Sequence, residues 1–161
     1  NLLQLKNHTT NLPLGVTKGS KTSSISAQTR KVKIAAAAND HKVTDIELNF
    51  YDDSCQCKFS TSAGTFTIDA GMETWITGKE SIVYPITDPN RTPVASKLAG
   101  SATWTNDSTL QLDLRFVETI HGDKVTFAFE GSKVTVKFLN SVSENTQNNP
   151  DRRQKIEGTW S

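Results

Sequence analysis

Between Leu110 and Phe138 the chain carries three runs in which large apolar residues alternate with polar or small ones. Leu110, Leu112, Leu114 and Phe116 alternate with Gln111, Asp113 and Arg115. Val125, Phe127 and Phe129 alternate with Thr126, Ala128 and Glu130. Val134, Val136 and Phe138 alternate with Lys133, Thr135 and Lys137. A strand sends successive side chains to opposite faces, so each run has one core-facing side and one solvent-facing side. Short polar connections, His121-Gly122-Asp123 and Glu130-Gly131-Ser132, join the runs, and this predicts an antiparallel meander. The pattern recurs upstream. Residues 31–38 place Val32, Ile34 and Ala36 on one face, and residues 45–50 turn Ile46, Leu48 and Phe50 inward. After the Tyr51-Asp52-Asp53-Ser54 turn, Cys55, Cys57 and Phe59 continue the alternation. Beyond Ser62-Ala63-Gly64, so do Phe66, Ile68 and Ala70. Residues 81–86 read as an edge strand closed by Pro85. Residues 155–161 read as a last strand carrying Ile156 and Trp160.

No segment shows a helical period. Roughly eight to ten short strands predict an all-β domain, with an antiparallel meander closing into a lipocalin-like barrel or packing as a two-sheet sandwich. Residues 31–161 are expected to form this single β-barrel-like domain. Residues 1–30, rich in Thr, Ser, Asn and Lys, are expected to be an N-terminal extension or linker. Within it, 19–28 reads as a loop, and Leu2, Leu3, Leu5 and Leu12 are candidates to pin the terminus to the body. Residues 88–93, with two prolines, make the strongest break, and 144–153 reads as a polar loop. Gly71 to Trp75 and Gly100 to Trp104 share a G-x-x-x-W spacing, a hint of a repeated β-unit.

A chain of 161 residues, 35% of them hydrophobic, is long enough for one core. Its net charge of +1 provides no basic field for nucleic acid or anionic lipid. No apolar run approaches the roughly 18 residues of a membrane span. No signal-peptide pattern follows Leu2-Leu3, and a start at Asn1 suggests a fragment or a processed protein.

The chemistry is sparse. No Lys has Ser or Thr three residues before it, and neither G-x-S-x-G nor K-T-G occurs, which argues against an intrinsic serine hydrolase. His8, His41 and His121 fall in predicted loops or at the terminus, as surface residues. His121, Asp123 and Glu118 would form an acid–base site only if they converged in one cleft. Cys55 and Cys57, two residues apart on one strand face, read as buried reduced thiols, because a disulfide between them would be strained. No metal-ligand set accompanies them, and no cofactor is expected. Trp75, Trp104 and Trp160 each follow a glycine closely and read as plugs of a barrel end, with an aromatic platform for a sugar or lipid as the functional alternative. The docking or ligand surface is expected at such an end, around Trp75 and Trp104 and the 88–93 loop with Asn90 and Arg91, because interfaces favour aromatic and arginine anchors.

From Trp104 onward the residues resemble a known family. The string Trp104-Thr-Asn-Asp107-Ser-Thr109-Leu110-x-Leu112, then Arg115-Phe116-Val117-Glu118-Thr119, then Phe129-Glu-Gly131-x-x-Val134, is similar to the C-terminal β domain of bacterial serine hydrolases related to class C β-lactamases and penicillin-binding proteins. Upstream, Phe66-Thr-Ile68, Gly71 and Trp75 are similar to the family in a looser way, and the likeness spans residues 30–141. Ile120 stands where the family usually has Pro, and Gly122 lengthens that hairpin. The family's catalytic elements, Ser-x-x-Lys, Tyr-x-Asn and Lys-Thr-Gly, are absent, so no catalytic residue carries over. The resemblance implies a non-catalytic accessory domain of a periplasmic or exported enzyme, whose partner is a catalytic serine hydrolase domain in the same polypeptide. The alternative is a stand-alone lipocalin-like barrel that binds a small ligand.

Overall fold

The computed structural model describes residues 15–78, 81–83, 94–117 and 119–161. The leucines at 2, 3, 5 and 12, His8, Pro85, the 88–93 loop with Asn90 and Arg91, and Glu118 lie outside the described residues.

Wherever the sequence alternates, the chain is strand. A short helix, α1 (Ser24–Gln28), precedes β1 (Lys31–Ala36), β2 (Val43–Phe50), β3 (Ser54–Thr61) and β4 (Gly64–Met72). Three short strands follow, β5 (Ile76–Thr77), β6 (Ser81–Val83) and β7 (Val94–Ser96), with β6 and β7 paired as a separate ribbon. The second half holds β8 (Leu98–Asn106), β9 (Thr109–Phe116), β10 (Gly122–Glu130), β11 (Lys133–Asn140), helix α2 (Ser141–Asn145) and β12 (Ile156–Trp160).

Neighbours run β4-β3-β2-β1-β12-β11-β10-β9-β8, and β8 returns to β4, so nine strands form a closed barrel rather than a sandwich. Closure removes the exposed edges that an open sheet leaves. Every barrel pairing is antiparallel except the last: β4 and β8 run parallel, joined only at Gly71↔Ser101 and Met72↔Ala102. The expected antiparallel meander is present and closes through this one parallel pair, which makes the barrel mixed. A parallel pair needs a long crossover, and residues 73–97 supply it.

Small residues make the β4–β8 seam possible. A Cβ on Gly100 would lie 2.4 Å from the Asp69 carbonyl oxygen and 3.2 Å from the Ala70 Cα. Elsewhere the interior is filled by the inward residues of every wall, with Trp104, Phe59, Phe127, Ile34, Ile46 and Leu48 among the largest fully buried side chains. The β10–β11 hairpin turns through Gly131 at φ +57°, a positive first turn position of the kind that primed hairpin turns require.

From residue 17 on, the N-terminal segment is fastened to the barrel. Ser20 bridges Trp104 through two backbone hydrogen bonds of 2.9 Å. Ser23 and Ser26 form a capping box on α1, and Ile25 enters the core. The polar stretch after β11 likewise contains α2, capped by the Asn140 side chain, which accepts from the Ser143 backbone N–H.

Candidate functional site

The two barrel ends differ. At the α1 end, Trp104 packs against Phe50 (ring centroids 5.7 Å apart) and Phe129 (6.0 Å). Phe129 meets Trp160 edge-on at 5.5 Å, and the Trp160 indole N–H donates to the Gly131 carbonyl at 2.8 Å. Trp104 and Trp160 thus plug this end. Trp104, at 1% exposure, offers no docking surface. Its indole Nε1 has no partner among the described residues. An open groove beside this plug is lined by Arg30, Lys31, Asn49, Phe50, Tyr51 and Asp52. Its charges are spoken for: Arg30 pairs with Asp52 at 2.9 Å, and Lys31 with Glu47 at 2.8 Å.

At the other end the chain returning from α2 to β12 is held by a buried cluster. The Arg153 guanidinium reaches both oxygens of Asp123, Nη2 to Oδ1 at 2.8 Å and Nη1 to Oδ2 at 3.2 Å. It also donates to Asp151 through Nε at 3.0 Å and Nη2 at 2.5 Å. The Asn140 backbone N–H and side-chain amide complete Asp151 at 2.8 and 3.0 Å. All three charged side chains are at most 7% exposed. One residue further on, the His41 Nε2–H donates to the Gln154 carbonyl at 2.9 Å, while the Phe138 ring packs against both the His41 ring (tilted, 5.1 Å) and the Arg153 guanidinium (5.3 Å). Return-segment residues 151–154 are therefore gripped from the β1–β2 turn, from β10 and from β11.

Burial and pairing set the charges of this clamp. Burial is the largest influence on Asp123 and raises its pKa, and Arg153 only partly offsets it. Burial acts on Asp151 too, but its hydrogen bonds from Arg153 and Asn140 win and hold it at about 2. Burial alone would lower the Arg153 pKa, and the two carboxylates raise it instead. Every carboxylate oxygen in the cluster is occupied by protein donors, so the arrangement fixes backbone and presents no activated acid or base.

The described members of the acid–base group considered from the sequence take separate places. His121 is exposed on the β9–β10 connection, Asp123 is committed to Arg153, and Glu118 lies outside the described residues. His41, read as a surface histidine, is instead buried beneath the return segment. Cys55 and Cys57 are free, buried thiols facing the core, and burial pushes the Cys55 pKa up to about 12. Among the described residues no group of His, Cys, Asp and Glu could hold a metal ion, and no helix is long and apolar enough to cross a membrane.

Trp75 lies in the connection between β4 and β5, half-buried on the outer side of the barrel. Its indole N–H donates to the Gly15 carbonyl at 3.4 Å, and the Arg115 guanidinium sits 5.9 Å from its ring centroid. At the α2 end, Val117, Ile120, Leu139 and Val142 are the exposed apolar side chains, Ile120 at 93%. Sequence reasoning missed Asp151 and Arg153; the only local sign was the Asp151-Arg152-Arg153 run that follows the uncharged residues 145–150. No family model matches the chain, and no curated protein matches it.

Proposed function

We propose that this chain is a non-catalytic accessory domain of a bacterial cell-envelope serine hydrolase of the β-lactamase-related kind, acting on a catalytic domain of the same exported polypeptide. The observation that carries the reading is that the described core and turn positions of the resembling string serve the barrel itself. Trp104, Leu110 and Leu112 are core residues. Asp107 ties the first helical residue of α1 to the barrel, accepting from the Ser24 N–H at 2.7 Å and the Ser24 hydroxyl at 2.5 Å. Phe129 and Gly131 shape the β10–β11 hairpin at the plugged end. Aromatic rings from opposite walls also meet in the lumen, which favours a packed scaffold over a ligand-binding cavity.

The full-length gene product tests this. Its open reading frame should encode an upstream domain with Ser-x-x-Lys, and a fluorescent penicillin should acylate that domain and not the barrel alone. An upstream sequence without Ser-x-x-Lys overturns the proposal.

A further inference from the structure

The β4–β8 seam has the shortest paired register in the wall, two positions against three for β1 and β12. Other neighbouring strands pair over several residues, but β4 covers only Ser101 and Ala102 of β8. The same edge of β8 is completed by two other pieces: β5 on Ala99 and Gly100, and Ser20 on Trp104. Trp104 gives both its backbone N–H and its C=O to Ser20, so that bridge lies on the edge away from β9. Residues 17–25 are fastened across this seam at successive points. Thr17 donates to Asp113 at 2.7 Å, the Gly19 N–H to Glu73 at 2.9 Å, and Lys21 to Asp53 at 2.8 Å. Ser24 is held by Asp107, and Ile25 is this segment's buried apolar side chain.

From this geometry we propose that residues 17–29 are a latch on the barrel, and that its release opens the β4–β8 seam while the rest of the wall stays folded. Its fastenings are polar, several of them are exposed, and one hydrophobic anchor backs them. Segments of that kind open locally at lower free energy than a packed core. Ser54↔Gly71 lies beside the seam, and Cys55↔Ala70 is the next pair inward, so seam opening uncovers a thiol that is 1% exposed in the closed barrel.

The barrel's own thiols report the opening. Labelling of Cys55 and Cys57 by a disulfide reagent, in the whole chain and at urea concentrations well below unfolding, should proceed with little dependence on urea. Asp107→Ala removes both hydrogen bonds that hold Ser24 and should speed labelling about fivefold. Ile156→Val lies on β12, on the opposite side of the barrel, and weakens the fold by a similar amount without touching the latch. It should leave the labelling rate unchanged. If Ile156→Val accelerates labelling as much as Asp107→Ala, or if labelling rises with urea as steeply as global unfolding, the thiols are reached only by whole-barrel unfolding and the latch does not exist. An Asp107→Ala rate equal to that of the parent chain overturns the proposal as well.

Discussion

Phe59 on β3 and Phe127 on β10 meet ring to ring across the lumen, with centroids 6.3 Å apart and planes inclined by 36°. In the order of the barrel these strands belong to opposite walls. Phe59 also touches Phe66 on the adjacent β4 at 6.2 Å. Aromatic pairs in such tilted geometry are worth about 0.5–1.5 kcal/mol beyond the area they bury. The contact spans the width of the barrel, so each ring supports strands that share no hydrogen bonds.

Truncating one of these rings should therefore be costly. Phe127→Ala should destabilise by about 3–5 kcal/mol in urea or thermal denaturation, because the surrounding wall is too constrained to refill the space. Lys133 and Lys137 sit on the exposed face of the neighbouring β11, and replacing both by Ser should change stability by no more than about 0.5 kcal/mol. Equal losses in the two variants would mean that the inward and outward faces of the meander are exchanged.

The clamp at the α2 end predicts a different signature. Arg153→Met leaves the buried Asp123 and Asp151 carboxylates without their shared cation. Breaking a buried pair by removing one partner typically costs about 3–5 kcal/mol. Without the guanidinium, burial raises both carboxyl pKa values above those in the unfolded chain. A group raised in this way stabilises most at low pH, and that contribution is lost as pH rises through its folded value. The penalty of Arg153→Met should accordingly be smaller at pH 5 than at pH 7. A penalty independent of pH would contradict the assignment of the cluster as charged.

The intact clamp carries an acid-sensitive element of opposite sign. Asp151 is held at about 2 against an ordinary value of 3.8. Its contribution is complete above the ordinary carboxyl range and is lost as pH falls from near 4 toward 2. Asp123, raised by burial, runs the other way and loses its contribution as pH rises through its folded value. Urea midpoints measured from pH 5 to pH 2 should fall, and Asp151→Asn should flatten the limb below pH 4. An unchanged acid limb in that variant would remove Asp151 from the account.

The walls of the barrel were legible because their signal is local. Leu110, Leu112 and Leu114, or Val134 and Val136, declare their face within a few residues, and burial follows that face. What joins the walls was not legible. The parallel seam rests on Gly71, Gly100, Ala70 and Ala102, whose value is the volume they lack, and on Ser20, which contributes only backbone. Asp113 reads as an outward polar residue and does point outward, yet Thr17 and Gln111 cover it. Arg153 and Asp123 are 30 residues apart with no shared period, so only the closed barrel brings them together. For the same reason His41 reads as a turn residue while the return segment buries it. Trp104 shows the limit for function: an aromatic beside glycine was compatible with a platform or a plug, and its neighbours on β2 and β10 make it a plug.

Closure through missing side-chain volume gives the last prediction. The atoms a Cβ on Gly100 would strike are the backbone of Asp69 and Ala70, which cannot swing aside as a side-chain tip would. Gly100→Ala should therefore push β4 from β8 and destabilise by about 1–3 kcal/mol, the usual range for forcing extra volume into a packed site. Gly15→Ala is the matched control, because its Cβ would meet nothing within 4 Å, and it should be close to neutral. Gly131→Ala separates space from conformation: its Cβ is also unobstructed, but its φ of +57° is strained for an alanine, so a loss of about 1–2 kcal/mol is expected there from the backbone alone. Hydrogen exchange distinguishes the two mechanisms. Gly100→Ala should raise exchange at Glu73 and Gly78, whose amides reach across to Ala102 and Leu98 on β8. Gly131→Ala should instead raise it at Trp160, whose amide bonds Ser132 in the hairpin. If Gly100→Ala leaves the seam amides protected, the barrel is not closed by the approach of β4 to β8.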